Sequence, residues 1–239
     1  MADPENKPMG DGAEFDRYAA SYDEDLHRAL SVTGEDKNYF SEGRMAWLGG
    51  WLKQTGIGSA SVLDYGCGTG SATPFILKHL GAERIVGTDV SPESLKVAEA
   101  AHGSPRSSFR PTGEGSAGEF DVAFCNGVFH HIAPDKRSLA LKEIHDSLRP
   151  GGVFAMFENN PWNPATRYVM SRCEFDRDAI TLAPPESRKR MKAAGFEILT
   201  TRYLFVFPAM LKALRKLEPL LSPIPLGGQY VVVGRKKSS

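Results

Sequence analysis

Val62-Leu63-Asp64-Tyr65-Gly66-Cys67-Gly68-Thr69-Gly70 puts a carboxylate at the end of an apolar run and follows it with Gly-x-Gly-x-Gly. Glycines let the chain turn sharply and let a ligand approach the backbone where a Cβ would block it. A helix opening directly afterwards would aim its free N–H groups at the same point. A nicotinamide-binding loop has glycine at the sixth position, where this chain has Ser71. Alone, the loop reads equally as a tight strand-to-helix turn or as a ligand cradle. Asp89 closes RIVGTD, 19 positions beyond Gly70. A carboxylate there can accept hydrogen bonds from both hydroxyls of a ribose, although alone it could be only a helix cap.

A second group suits proton transfer. Phe129-His130-His131 follows one apolar stretch, and Phe157-Glu158-Asn159-Asn160 ends the next. Histidine exchanges protons near neutral pH, and a carboxylate bonded to it fixes its tautomer. One of His130 and His131, paired with Glu158, is the candidate acid–base group; the other would be structural, bonded to the backbone at a helix start. Asn159-Asn160-Pro161-Trp162-Asn163-Pro164 sets amides and an indole among rigid prolines. Asn159, Asn160 and Trp162 could therefore line a pocket for a second ligand.

The elements that must position these groups alternate. Strands are expected at 61–65, 84–89, 107–110, 120–126 and 151–158, with helices between them from about Ser71 to Leu80, from Ser91-Pro92 to His102 and near 135–148. Ser91 is an N-cap and Pro92 a first helical residue. Near-continuous apolar strands separated by helices imply a parallel sheet covered on both faces. A helix near 185–194 precedes two further strands, FEILTTRYLFVF and GQYVVVGR, interrupted by residues 208–228. Residues 14–53 read as two or three helices, and residues 1–13 as a disordered arm.

Within 208–228, Leu211, Leu214 and Leu217 recur at three-residue steps among Lys212, Arg215 and Lys216. This fits a lid over a pocket, a membrane-surface helix or plain core packing.

Lysine plus arginine equals aspartate plus glutamate, 29 each, so nothing favours a partner made of nucleic-acid backbone. Cys67, Cys125 and Cys173 form no CxxC pair, so neither a disulfide framework nor a metal centre is expected. The N-terminus carries no apolar signal-like run and no segment approaches the ~20 apolar residues of a membrane span, which leaves the cytoplasm as the expected location.

Asp64-x-Gly66-x-Gly68-x-Gly70, Asp89, Phe120-Asp121 with Asn126, and Leu148-Arg149-Pro150-Gly151-Gly152 together resemble the ordered motifs of class I S-adenosylmethionine-dependent methyltransferases. The branch most resembled is the small-molecule one, which includes quinone-ring and sugar methyltransferases. The resemblance covers residues 60–160 and implies one α/β domain over 14–239. Its fold would be Rossmann-like: a mostly parallel seven-stranded twisted sheet with helices on both faces, an antiparallel last strand and an N-terminal helical cap over 14–55. It implies methyl transfer from S-adenosylmethionine to an oxygen, nitrogen or carbon of a small-molecule or lipid-linked acceptor. The alternatives are a protein or RNA acceptor, or an inert cofactor-binding subunit.

By the same resemblance, the loop from Gly66 through Cys67 and Gly68 to Gly70 would hold the methionine part of the cofactor, with Asp64 near its amino group. Asp89, followed by Val90, would hold the ribose, and Asn126 and Gly127 would border the cofactor. Tyr22 and Arg44 would close over it. After strand three the chain departs from the family pattern: it reads Arg110-Pro111-Thr112-Gly113-Glu114, which leaves Thr112, Glu114 or a backbone carbonyl to meet the adenine.

Overall fold

The computed structural model describes Leu30 and residues 33–114, 117–173, 176 and 179–238. The expected arm and Tyr22 lie outside these residues.

Seven strands form one sheet: β1 (Ser61–Tyr65), β2 (Arg84–Asp89), β3 (Ser107–Pro111), β4 (Phe120–Asn126), β5 (Leu148–Asn159), β6 (Phe196–Leu204) and β7 (Gln229–Lys236). Their order is β3-β2-β1-β4-β5-β7-β6. The pairs from β3 to β5 are parallel, whereas β7 runs antiparallel to both β5 and β6. The order reverses between β1 and β4, and doubly wound sheets open a crevice at such a point, outside the carboxyl ends of the strands.

Alternation along the central strands decides which face each helix covers. Val62, Val153, Ala155 and Phe157 pack with Met45, Leu48, Ile76 and Leu80 of α1 (Lys37–Thr55) and α2 (Thr73–Leu80). Leu63, Phe154 and Met156 pack on the other face with Leu141 and Ile144 of α4 (Arg137–Ser147) and Met191 of α6 (Pro184–Ala193). Between them, α3 (Pro92–His102) begins where its sequence says it should: the Ser91 side chain accepts from the Ser94 N–H, with proline in the first turn.

Two departures from the sequence reading bear on function. A helix not anticipated, α5 (Pro164–Arg172), starts at Asn163, whose side chain accepts from the Thr166 N–H. The stretch Ala209–Leu217 is a 3₁₀ helix with no buried residue, followed by a short α7 (Glu218–Leu221). Plain core packing is therefore excluded for its leucines. Their three-residue spacing is the period of a 3₁₀ turn, so the residues recur along one exposed face. No described helix is long and apolar enough to cross a membrane.

Candidate active site

At the carboxyl ends of β1 and β4 the chain encloses a cavity of about 180 Å³. The glycine loop forms one wall. Gly66 has φ +72°, and a Cβ there would stand 2.4 Å from Val128, so both conformation and space demand glycine. Gly68, at φ +52°, has open space where a side chain would be. Asp89 ties the loop down: its two carboxylate oxygens accept from the Gly68 N–H at 2.8 Å and the Ser91 N–H at 2.9 Å. Cys67 and Val90 also border this chamber. Gly70 does not; its φ is +74°, and it packs against Ala98, His102 and Phe109.

Asp64, one residue before the end of buried β1, lies inside the chamber, and its Oδ2 has no hydrogen-bond partner. Burial, and then the neighbouring Asp89 charge, push its pKa up to about 7, against the pull of Arg44. Across the cavity the Asn126 Oδ1 is also buried without a partner. Gly127 lies beside it, and Thr112 reaches the far end, whereas Glu114 is exposed and does not border the chamber.

Arg44 is buried, not on a solvated helix face. Its guanidinium donates to the Ser41 Oγ and to the Gln229 Oε1, both at 3.0 Å, and the Gln229 Nε2 donates to the Asn159 Oδ1 at 3.1 Å. This relay connects α1 to the ends of β7 and β5.

A second cavity of about 420 Å³ adjoins the first. Arg44, Asn126, Gly127 and His131 border both. Aromatic side chains, Tyr39, Phe40, Tyr168, Phe205 and Phe207, supply much of its wall. Phe205 holds a left-handed backbone, φ +62°, rare for a bulky residue, and packs its ring against Tyr39 and Phe40.

The two histidines separate here. His130 is sealed from solvent with its Nδ1 2.6 Å from the Glu158 Oε2, while the Glu158 Oε1 accepts from the Phe129 N–H at 2.8 Å. Burial opposes charge on His130, but Glu158 and then Asp176 outweigh it and hold the pKa up, at about 10. His131 is pushed the other way, by burial and by the adjacent His130 charge. Asp176 joins them: its Oδ1 lies 3.3 Å from the His130 Nε2 and 3.4 Å from the His131 Nε2. No motif in the sequence singled out Asp176.

Of the expected pocket residues, Asn159 borders the second cavity. Asn160 and Trp162 border neither. The Asn160 amide is turned inward, donating to the carbonyls of Gly227 at 2.8 Å and Pro225 at 3.3 Å and accepting from the Trp162 N–H. Trp162 is half-exposed. Asn160 braces the loop before β7, as does Asn163, whose side chain donates to the Leu226 carbonyl, and Pro164 opens α5.

Residues 63–154 match the family model described as a methyltransferase domain. The chain is 31% identical over 102 residues to an uncharacterised methyltransferase of Synechocystis, covering 41% of this chain and 46% of that protein. It is 33% identical over 110 residues to the ribosomal protein L11 methyltransferase of Paraburkholderia phymatum, covering 44% and 34%. Thus it spans less than half the length of these curated relatives. A solved S-adenosylmethionine-dependent methyltransferase from Thermotoga maritima superposes with TM-score 0.67 at 20% identity, covering 93% of this chain and 98% of that one.

Residues 63–154 thus carry a methyltransferase domain, in the fold of solved S-adenosylmethionine-dependent methyltransferases. Family and fold imply S-adenosylmethionine as cofactor, and the first chamber fits it. Buried oxygens of Asp64 and Asn126 await a donor, which an ammonium group supplies, and a glycine wall admits a ligand against the backbone.

Proposed function

We propose that the chain transfers a methyl group to an oxygen, nitrogen or carbon of a small-molecule or lipid-linked acceptor. One observation carries this reading: the cofactor chamber opens into a larger, aromatic-walled cavity across a boundary that His131 and Asn126 share. Bound S-adenosylmethionine supplies a methyl group on a positively charged sulfur, which any correctly aligned nucleophile can displace.

The chain's residues do the rest. Asp64 and the glycine loop hold the methionine end, with Arg44 closing over them, and Asp89, already bonded to the loop, keeps lone pairs for ribose hydroxyls. Aromatic walls exclude water and align the acceptor, and such confinement alone accounts for several kcal/mol of barrier. His131 meets the acceptor at the boundary, with its ring packed against that of His130, which Glu158 in turn fixes.

A cavity of this size and lining suits a small ligand, and the exposed leucines that follow Pro208, itself a lining residue, suit a lipid-linked one. The likeness to a ribosomal protein methyltransferase reaches only a third of that enzyme, too little to favour a protein acceptor. The intact glycine loop and Asp89 weigh against an inert subunit.

The test is to incubate the purified chain with S-adenosylmethionine and panels of phenols, amines, sugars and isoprenoid-linked quinols, and to follow the demethylated cofactor by mass spectrometry. Acceptor-dependent turnover supports the reading. Turnover only with a protein or RNA substrate would replace it.

A further inference from the structure

We propose that His130 Nε2, His131 Nε2 and Asp176 Oδ1 form a binding site for one divalent transition-metal ion of the zinc class in the wall of the acceptor cavity. One ligand atom from each of the three residues lies within 4.8 Å of the other two. Two of the separations are 3.3 and 3.4 Å. Ligand atoms about 2.0–2.1 Å from a tetrahedral ion stand about 3.3–3.4 Å apart, so these edges already have the required length.

Three further observations point to an ion. Asp176 is 6% exposed, and its Oδ1 sits beside both histidine nitrogens. A buried carboxylate oxygen is costly unless a cation compensates it, a role that an ion bound between these atoms would take over from the protonated His130. The Glu158 carboxylate accepts the Nδ1 proton of His130 at 2.6 Å, so a metal would bind at Nε2 by displacing the proton that the charged ring otherwise carries there; carboxylates orient metal-binding histidines in this way. All three side chains border the acceptor cavity, so the remaining coordination positions face it.

Two nitrogens and one oxygen suit zinc, iron(II) or cobalt(II), and are a poor set for magnesium or calcium. The sequence, lacking any CxxC pair, gave no such expectation. The ion's role, holding and polarising an acceptor oxygen or nitrogen, rests on the proposed transferase reading; its binding does not. Glu158 is a positioning residue in this scheme.

The full chain, stripped with chelator and free of cofactor and acceptor, is titrated with cobalt(II) chloride by visible absorption and with zinc(II) chloride by equilibrium dialysis. One ion should bind per chain, with a cobalt spectrum lacking thiolate charge transfer. Asp176→Asn and His131→Gln should each weaken binding by more than about a hundredfold, and Glu158→Gln by about 10–100-fold, while Cys173→Ser changes nothing. Circular dichroism checks each variant's fold, and His131→Gln, at the less buried ligand, decides if Asp176→Asn does not fold. Absence of stoichiometric binding, full affinity in these variants, or a thiolate band lost in Cys173→Ser would overturn the site. Failure to find an acceptor would leave these readouts untouched.

Discussion

The Nδ1 of His130 stands 2.6 Å from the Oε2 of Glu158, and both side chains are sealed from solvent. Removing one member of such a pair strands the other. His130→Ala should therefore destabilise the protein by about 3–5 kcal/mol. His131→Ala, at a side chain that solvent still reaches, should cost clearly less. Urea melts of the two variants check the ordering; equal losses would mean that the pair is not a special element of the core.

His131 should matter in turnover instead. Once an acceptor is known, His131→Ala should lower kcat by about 10²–10⁴, the range for a group that activates a nucleophile in place. Cofactor affinity should stay within a few-fold. Near-full turnover in this variant would leave alignment alone as the catalytic device.

Asp64 gives the pH dependence a sign. Its pKa is about 7 folded against 3.8 ordinarily, so between those values the folded chain binds more protons than the unfolded one. Its contribution to stability is full below the lower value and is lost as the pH rises through 7. Asp64→Asn should then stabilise the ligand-free protein at pH 8 by about 1–4 kcal/mol. Cofactor affinity of the wild type, which needs the carboxylate, should fall as the pH drops below 7, and the variant should bind weakly at every pH. Thermal melts and titrations across pH 5.5–8.5 test both halves.

Asp89 carries two duties. Asp89→Ala removes the acceptor for the Gly68 and Ser91 N–H groups as well as any ribose contact. Affinity should fall at least about tenfold, since charge-assisted bonds contribute roughly 1.5–3 kcal/mol each. The ligand-free melting point should also drop. An unchanged melting point would show that the loop holds its shape without the carboxylate.

The chamber for the cofactor was legible in the sequence because its residues sit at strand ends, where apolar runs, turn glycines and caps mark position locally. β1, β2 and β4 match residue for residue, and Asp64, Gly68, Asp89 and Asn126 converge as anticipated. Gly70 shows what the motif does not tell: it lies outside the chamber's lining and packs against Ala98, His102 and Phe109. The acceptor side was far less legible. Asp176 and Gln229 reach the site from segments distant along the chain, through contacts that only the folded sheet creates. Asn160 and Trp162 looked like ligand-binding residues by type, but backbone carbonyls of the loop before β7 claim the amide. The leucines of 208–228 announced a three-residue period without saying what, if anything, would cover them.

The central claim, that the chamber between Asp64 and Asn126 receives S-adenosylmethionine, is tested most directly by isothermal titration of the purified chain. Stoichiometric binding of S-adenosylmethionine and of its demethylated product, with no measurable heat from NAD, is the predicted result. Binding of NAD with neither adenosyl-sulfur compound would contradict the account.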